Sequence, residues 1–209
     1  LVSTIPAASL VPLLDPAPRD EVLEHARALR FRDLMVVALP LRRERVSPDH
    51  VTYFPEARFP FTRIYEQKNA SPEMIAAPGR TVLGFELPCF AGDGLWSMSD
   101  RDLLRWMTSF AADVGFEPGE AEPGWVIRAR EAYPLYELGH DRHAAAVCGW
   151  FHGELDNALL VGRNSLHRLD NMHHALAMGF ELARTLSEGG RGRTWQHALE
   201  RFRHISYID

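Results

Sequence analysis

The chain has 209 residues, of which 46% are hydrophobic and 24% charged, so it carries enough apolar material for a sizeable core. Its net charge of −5 and pI near 6.1 argue against a nucleic-acid-binding surface. No run of eighteen apolar residues occurs, so no membrane-spanning helix is expected. Cys89 and Cys148 lie far apart without CxxC spacing, which indicates reduced thiols in a cytoplasmic protein.

In the first half of the chain, the sequence pattern predicts several short strands and two helices. The predicted elements are a strand at 1–4, helices at 8–14 and 19–29, and strands at 33–41, 51–54, 62–66 and 81–87. The 33–41 segment is apolar on both faces, which is typical of a central strand. Short strands joined by short links favour an antiparallel, meander-like sheet.

The second half predicts more helix. Ser99 is expected to cap a helix that ends at Gly115, because acidic residues follow Ser99 and glycine suits a helix end. The remaining elements are strands at 125–132 and 158–161, and helices at 143–151, 169–186 and 194–202. We therefore predict an α+β fold with a mostly antiparallel sheet of about six strands, flanking helices, and the 169–186 helix packed across the sheet.

The end of the 158–161 strand offers the clearest candidate site. Gly162 follows the strand, and a glycine lets a ligand approach the backbone without meeting a Cβ. Arg163 could neutralise a pyrophosphate or hold a carboxylate. The helix that follows would aim N–H groups and a positive dipole end at an anion or an electron-rich ring. Taken alone, the same residues also fit a tight turn with a surface arginine.

Residues 162–174 resemble the flavin-contacting segment near the carboxyl terminus of UDP-galactopyranose mutases and of their amine-oxidase-like and protoporphyrinogen-oxidase-like flavoprotein relatives. In that family a strand ends in Gly-Arg, and a short stretch later a polar residue followed by Met or Gln opens a helix. The resemblance implies a set of FAD-contacting residues, namely Gly162, Arg163, Asn171, Met172 and His173. Leu169 departs from the family, because many relatives carry there a tyrosine that touches substrate phosphates.

Residues 60–69 resemble the Thr-Arg-x-x-Glu-x-Lys-His segment of the mutases, with Asn69 in place of the histidine. The Glu-x-Pro that follows in the family is matched by residues 86–88. In the family this strand borders the flavin and the substrate cleft. The resemblance therefore implies substrate contacts from four residues, namely Arg63, Tyr65, Glu66 and Lys68. A solvated, charged edge strand explains the same residues without any ligand.

Residues 132–139 are similar to the Ala-Tyr-Pro-x-Tyr-x-x-Gly segment that lines the cleft of flavoprotein relatives, which implies that Tyr133 and Tyr136 contact substrate. Two packed tyrosines in a loop would give the same pattern. Residues 2–6 resemble the strand by which the chain leaves the nucleotide-binding domain. The four matches occur in family order along the chain.

The resemblance implies the carboxyl-terminal part of an FAD-dependent oxidoreductase. Residues 1–6 would be the return strand of a missing nucleotide-binding domain, 7–157 a substrate-binding α+β domain, and 158–209 a flavin-capping segment. No GxGxxG motif occurs, so the cradle for the FAD pyrophosphate is missing from this chain. We expect weak or no FAD binding, and no activity, without an N-terminal nucleotide-binding domain or subunit. The substrate would be a small molecule.

Other functions are less well matched. A UDP-sugar mutase proper, or a non-catalytic ligand-binding or interaction module, would share most of these features. His140 and His143 could share one helix face as metal ligands, but no HExxH motif accompanies them, so no metal site is predicted. Nucleophilic hydrolysis lacks a GxSxG motif.

Overall fold

The computed structural model describes residues 1–75 and 77–204 of the chain. Its contacts divide into two compact units. Unit 1 comprises Leu1–Phe31 and Glu131–Asp209, and unit 2 comprises Arg32–Arg130. Two separate stretches of chain therefore form unit 1, whereas unit 2 is continuous.

Strands and helices alternate irregularly along the chain. The strands are β1 (Val2–Ser3), β2 (Phe31–Leu41), β3 (Val51–Tyr53), β4 (Arg63–Glu66), β5 (Thr81–Cys89), β6 (Trp125–Pro134) and β7 (Leu159–Leu160). The α-helices are α1 (Ala7–Leu10), α2 (Asp20–Ala28), α3 (Asp100–Thr108), α4 (Ala111–Val114), α5 (His140–Glu154), α6 (Arg163–Leu166), α7 (Met172–Ser187) and α8 (Gly192–Glu200). Short 3₁₀ turns occupy Val11–Leu13, Gln67–Asn69, Pro72–Met74, Pro118–Glu120 and Arg201–His204.

The five-stranded sheet of unit 2 has the order β3-β4-β5-β2-β6. Its longest pairing is antiparallel and runs from Asp33 opposite Cys89 to Leu41 opposite Thr81. Alternate residues of β2 and β5 point to one face, where α3 completes the hydrophobic core. The central members of this core are Met35, Val37, Leu39, Leu83, Phe85, Leu87, Leu103 and Met107.

Both predicted ends of the helical segment after β5 are confirmed. The Ser99 hydroxyl accepts a hydrogen bond from the Asp102 backbone N–H at 3.2 Å, which caps α3. Gly115 adopts the left-handed conformation (φ 100°) at the end of α4. The single helix predicted between them is divided in two, because Phe110 leaves helical dihedrals (φ −89°, ψ 11°).

Unit 1 is mainly helical and contains a two-stranded parallel sheet, in which Val2 pairs with Leu159 and Ser3 with Leu160. Two buried side chains form hydrogen bonds with further backbone groups of β7. The Leu160 N–H donates to His152 Nε2 at 3.0 Å, and its carbonyl accepts from Trp195 Nε1 at 2.8 Å. Both side chains are fully buried, so α5 and α8 are anchored to β7 from within the core.

The α+β prediction is confirmed, and several of its details are corrected. The antiparallel sheet has five strands, and the strands predicted at 1–4 and 158–161 form the separate parallel pair. The long helix begins at Met172 rather than Leu169, and a short helix, α6, was not predicted. The buried Met178 and Leu182 of the long helix belong to the hydrophobic core of unit 1.

Candidate functional site

The segment from Gly162 to Asn171, here called the Gly-Arg segment, joins β7 to α7. Gly162 has a φ of 88°, which favours glycine, and a Cβ placed there would meet no atom within 4 Å. One helical turn, α6, follows and ends at His167, which is also left-handed (φ 51°). The backbone at Gly162 therefore borders open space, as a close approach by a ligand requires.

Four contacts tie the Gly-Arg segment to residues 131–136. The amide of Asn164 donates to the Glu131 carbonyl at 2.9 Å, and His167 Nε2 donates to the Leu135 carbonyl at 3.0 Å. The guanidinium of Arg163 lies over the Tyr133 ring at 4.8 Å, and the Tyr136 hydroxyl donates to the Arg168 carbonyl at 2.7 Å. Two motifs that are distant in sequence thus form one surface of unit 1.

Several buried polar atoms in the Gly-Arg segment have no hydrogen-bond partner among the described residues. They are Arg163 Nε, Ser165 Oγ, His167 Nδ1 and both carboxylate oxygens of Asp170. Asp170 has an ion-pair neighbour, Arg168 Nε, at 3.5 Å, which is beyond good hydrogen-bond geometry. Folded proteins keep only a few such atoms per hundred residues, so their concentration in one short segment is typical of a functional site.

The N-terminus of α7 follows directly. Asn171, Met172 and His173 are all exposed, Met172 to 79% of its surface. The Asn171 backbone N–H donates to His174 Nδ1 at 3.1 Å, which satisfies one of the groups at this helix end. The positive end of a 16-residue helix therefore lies at the surface of unit 1.

In unit 2, Arg63 and Tyr65 meet at the carboxylate of Glu86. Arg63 Nε lies 2.9 Å from Glu86 Oε2, and the Tyr65 hydroxyl donates to the same oxygen. Burial opposes the charge of Arg63, but hydrogen bonds to Glu86 and Tyr53 raise its pKa overall. Arg63 and Tyr65 are half-buried on one face of β4, and Tyr65 is paired with Gly84 of β5.

Glu66 and Lys68 are held within unit 2. The Glu66 carboxylate is 3% exposed and accepts hydrogen bonds from the backbone N–H groups of Val46 and Ser47 and from the Thr81 hydroxyl, at 2.8–2.9 Å. Lys68 is 8% exposed and donates to Glu44 and to the Arg80 carbonyl. The hydrogen bond from Lys68 lowers the pKa of Glu44. A substrate role for Glu66 and Lys68 stays a prediction.

The structure therefore joins Arg163 to Tyr133 in unit 1, and Arg63 to Tyr65 in unit 2. The residues that sequence reasoning missed are Asn164, Ser165, His167 and Asp170. Their types are ordinary for a loop, so only burial and unmet hydrogen bonding distinguish them.

The described residues contain no cluster of three or more His, Cys, Asp or Glu side chains arranged to hold a metal ion. Across residues 1–75 and 77–204, no helix combines the length and apolar character needed to cross a bilayer. Cys89 and Cys148 are both thiols, and burial raises the pKa of Cys89 to about 11.

No protein-family model and no curated protein match the sequence. Among solved structures, the fold is similar to reduced UDP-galactopyranose mutase (TM-score 0.64, 18% identity, 78% of this chain and 35% of that one). It is also similar to a protein described as a protoporphyrinogen oxidase from an Exiguobacterium species (TM-score 0.56, 20% identity, 78% and 36%). An oxidoreductase from Methanosarcina mazei matches with a TM-score of 0.52, 14% identity, and 78% and 37% coverage.

The chain thus spans about a third of the length of each of these proteins. At these identities the likeness concerns the fold. The resemblance drawn from the four sequence motifs is confirmed at that level, because the matched structures include a UDP-galactopyranose mutase and a protoporphyrinogen oxidase-like protein.

Proposed function

We propose that this chain supplies the substrate cleft and part of the flavin site of an FAD-dependent oxidoreductase resembling UDP-galactopyranose mutase. The observation that carries the proposal is the group of buried, unpartnered polar atoms in the Gly-Arg segment, next to the open backbone of Gly162. The fold similarity to a mutase and to an oxidoreductase supports the same family. The predicted FAD-contacting residues lie in or directly after this segment.

The residues present fit a flavin. Gly162 would allow the cofactor to approach the backbone, and Arg163 would offer guanidinium N–H groups to its polar atoms. Asn171, Met172 and His173 would present the exposed first turn of α7, whose dipole favours an electron-rich ring edge. When bound, FAD supplies hydride or electron transfer, and the protein positions and tunes it.

The proposed substrate-binding residues are Arg63, Tyr65, Glu66 and Lys68 in unit 2, with Tyr133 and Tyr136 in unit 1. Of these, Tyr136 is 38% exposed and Arg63 half-buried, so both side chains can be reached by a small molecule. Tyr133 supports the Arg163 guanidinium through its ring. Glu66 and Lys68 would act by holding the strand that carries Arg63.

We further propose that residues 1–6 are the return strand from a nucleotide-binding domain that lies outside this sequence, as a domain or a separate subunit. The strand pairing of Val2 and Ser3 with β7 supports a shared parallel sheet. Residues 7–157 would supply the substrate domain and 158–209 the flavin cap. The isolated chain would be inactive, and the working protein would be cytoplasmic with a small-molecule substrate.

The choice between oxidoreductase and UDP-sugar mutase depends on substrate contacts. Leu169 is 46% exposed and carries no group that can bind phosphate. Together with Asn69, which donates to the carbonyls of Ser47 and Asp49 within unit 2, it favours an oxidoreductase over the mutase.

The deciding experiment is an assay of the purified full-length gene product. A yellow protein with a flavin spectrum would support the family, and a colourless one that does not bind added FAD would favour the non-catalytic module. Turnover of UDP-galactopyranose under reducing conditions would refute the preference for an oxidoreductase. Flavin present without that turnover would agree with it.

A further inference from the structure

Two histidines of unit 1 face each other where α2 and α5 meet. His25 lies in the last turn of α2 and His143 in the first turn of α5, and their Nδ1 atoms are 2.8 Å apart. The ring centroids are 5.0 Å apart, and the ring planes are inclined by 55°. Neither residue belongs to the proposed flavin or substrate sites. Imidazole is the commonest side-chain ligand of metal ions, so this contact brings together two candidate ligand atoms.

The hydrophobic core of unit 1 fixes the positions of the two helices. Ala26 of α2 and Val147 of α5 are fully buried members of that core. Ala26 follows His25 directly, and Val147 lies about one helical turn after His143. Side chains on packed helices hold their relative positions better than side chains on loops. The two imidazoles are therefore held together before any ion binds.

Both imidazoles are accessible to a small ion. His25 and His143 are half-buried, and the neighbouring Glu21 on α2 and Arg142 on α5 are exposed. No third His, Cys, Asp or Glu side chain within the described ranges is already arranged around the pair. Glu21 lies four residues before His25 on the same side of α2, so its carboxylate can add a third ligand by rotation. Otherwise water would take that position.

The distance between the two nitrogens favours one coordination geometry. A histidine nitrogen lies about 2.0–2.1 Å from a bound zinc ion, and other first-row ions bind imidazole at similar distances. Two nitrogens 2.8 Å apart then subtend about 84–89° at the ion. This angle matches adjacent positions of a square-planar or octahedral ion, which Cu²⁺ and Ni²⁺ prefer. A tetrahedral zinc ion would require the nitrogens to separate to about 3.3 Å.

Without an ion, a proton lies between the two rings. The 2.8 Å contact requires one Nδ1 to donate and the other to accept, so at least one ring is neutral. Metal binding requires a lone pair on both Nδ1 atoms. When both rings are neutral, the donor ring loses its Nδ1 proton and takes one at Nε2 from water, so no net proton is released. The torsion that turns an imidazole about its Cβ–Cγ bond is broad, so both lone pairs can be aimed at one point.

We propose that His25 and His143 form a binding site for Cu²⁺ or a similar divalent transition-metal ion. The two imidazoles would occupy adjacent positions of the ion, and water, with or without the Glu21 carboxylate, would complete its coordination. Such an ion would link the end of α2 to the start of α5. Binding to the folded protein alone would therefore stabilise it.

The probe is the Cu²⁺ complex of nitrilotriacetate, added to the full-length protein. The chelator occupies four positions of the ion and leaves two adjacent ones, so it favours a pair of histidines over a single one. Every protein in the experiment carries Cys148→Ser, because a half-buried thiol could itself bind copper. His25→Ala and His143→Ala are the test variants. His197→Ala, which removes an exposed histidine of α8, is the matched control.

We expect the background protein and the control to bind the probe with a dissociation constant of about 1–100 μM, and each test variant to bind at least about tenfold more weakly. Electron paramagnetic resonance should show two imidazole nitrogens on the copper in the background protein and at most one in either test variant. Equal binding by all four proteins, a loss in only one test variant, or no saturable binding below about 1 mM by the background protein would overturn the proposal.

Thermal unfolding gives a second readout and checks that the variants fold. At a probe concentration about a hundredfold above the dissociation constant, the melting temperature of the background protein should rise by about 5 °C, and that of either test variant should not. If an alanine variant is unfolded without the probe, the glutamine variant at the same position replaces it, since glutamine keeps a donor and an acceptor. An equal rise in folded variants of His25 and His143 would place the ion elsewhere and overturn the assignment.

Discussion

The guanidinium carbon of Arg163 lies 4.8 Å from the centroid of the Tyr133 ring. Arg163 opens α6 shortly after β7, and Tyr133 lies next to the last residue of β6, so the contact joins two sequence motifs that resemble the same family of flavoproteins. Stacking on an aromatic ring orients a guanidinium while leaving its in-plane N–H groups for hydrogen bonds. Arg163 is therefore positioned in advance of ligand binding.

The first prediction concerns Arg163 itself. Arg163→Ala should weaken FAD binding to the full-length protein by about 1.5–3 kcal/mol, the usual effect of losing a charged hydrogen bond. The side chain is only half-buried, so the melting temperature of the apo-protein should barely change. Flavin fluorescence titration measures the first quantity and thermal unfolding the second.

Tyr133→Phe is the matched control for this experiment. It keeps the aromatic ring under Arg163 and removes only the hydroxyl, so FAD binding should stay within about threefold of wild type. If Arg163→Ala also leaves binding unchanged, Arg163 is a surface residue that only packs on Tyr133.

The second prediction concerns the proposed nucleotide-binding domain. The 209-residue chain alone should bind FAD with a dissociation constant above about 100 μM, because no glycine-rich cradle holds the pyrophosphate. Adding the proposed nucleotide-binding domain, in cis or in trans, should give tight binding. Isothermal calorimetry on both forms makes the comparison, and micromolar binding by the isolated chain would show that the cofactor site lies within it.

The third prediction separates a structural from a ligand-binding role for Glu66. Glu66→Gln should destabilise the protein by about 2–4 kcal/mol, because an amide NH₂ group replaces an oxygen that accepts from Val46, Ser47 or Thr81. Urea unfolding measures the change. Glu56→Gln, at an exposed position, is the control and should stay within about 0.5 kcal/mol of wild type. A stable Glu66→Gln protein with impaired substrate binding would contradict the structural role.

The fourth prediction concerns pH. The pKa of His152 is lowered from 6.5 to about 4 in the folded protein by burial. Below pH 6.5 His152 is protonated in the unfolded chain but remains neutral in the folded protein. The contribution of His152 to the free energy of unfolding is therefore complete above about pH 6.5 and is lost as the pH falls towards 4. Between pH 7 and 4.5 this residue should remove roughly 2–3 kcal/mol from the free energy of unfolding.

His152→Gln provides the control, since glutamine does not titrate but can still accept from the Leu160 N–H. The variant should be less stable than wild type at pH 7, and the difference should shrink by roughly 2–3 kcal/mol at pH 4.5. A constant difference across this range, measured by urea unfolding, would mean that His152 does not remain neutral in the folded protein.

Much of the local structure could be predicted from the sequence because it depends on neighbouring residues. The pattern of β2, apolar on both faces, placed this strand inside the sheet, where it lies between β5 and β6. Ser99 and Gly115 marked helix ends through capping and left-handed backbone, which are local effects. The motif at Gly162 and Arg163 likewise needed only the order of residues along the chain.

Other features needed the tertiary structure because they depend on which segments meet. The parallel pairing of Ser3 with Leu160 joins segments that are far apart in the sequence, and the periodicity of a strand does not indicate which strand it pairs with. Whether Glu66 faces a ligand or a set of backbone N–H groups is decided by residues far from it in sequence.

The sequence by itself determined the α+β class, the positions of most helices and strands, and the resemblance to flavin-dependent oxidoreductases. Periodicities and short motifs depend only on residues that are close together in the sequence. Only the tertiary structure decided that Arg163 stacks on Tyr133 and that Asp170 is buried without a hydrogen-bond partner among the described residues. It also decided that His152 accepts a hydrogen bond from the Leu160 N–H and that His167 donates one to the Leu135 carbonyl. Burial and hydrogen-bond satisfaction are properties of packed neighbours, and no local pattern encodes them.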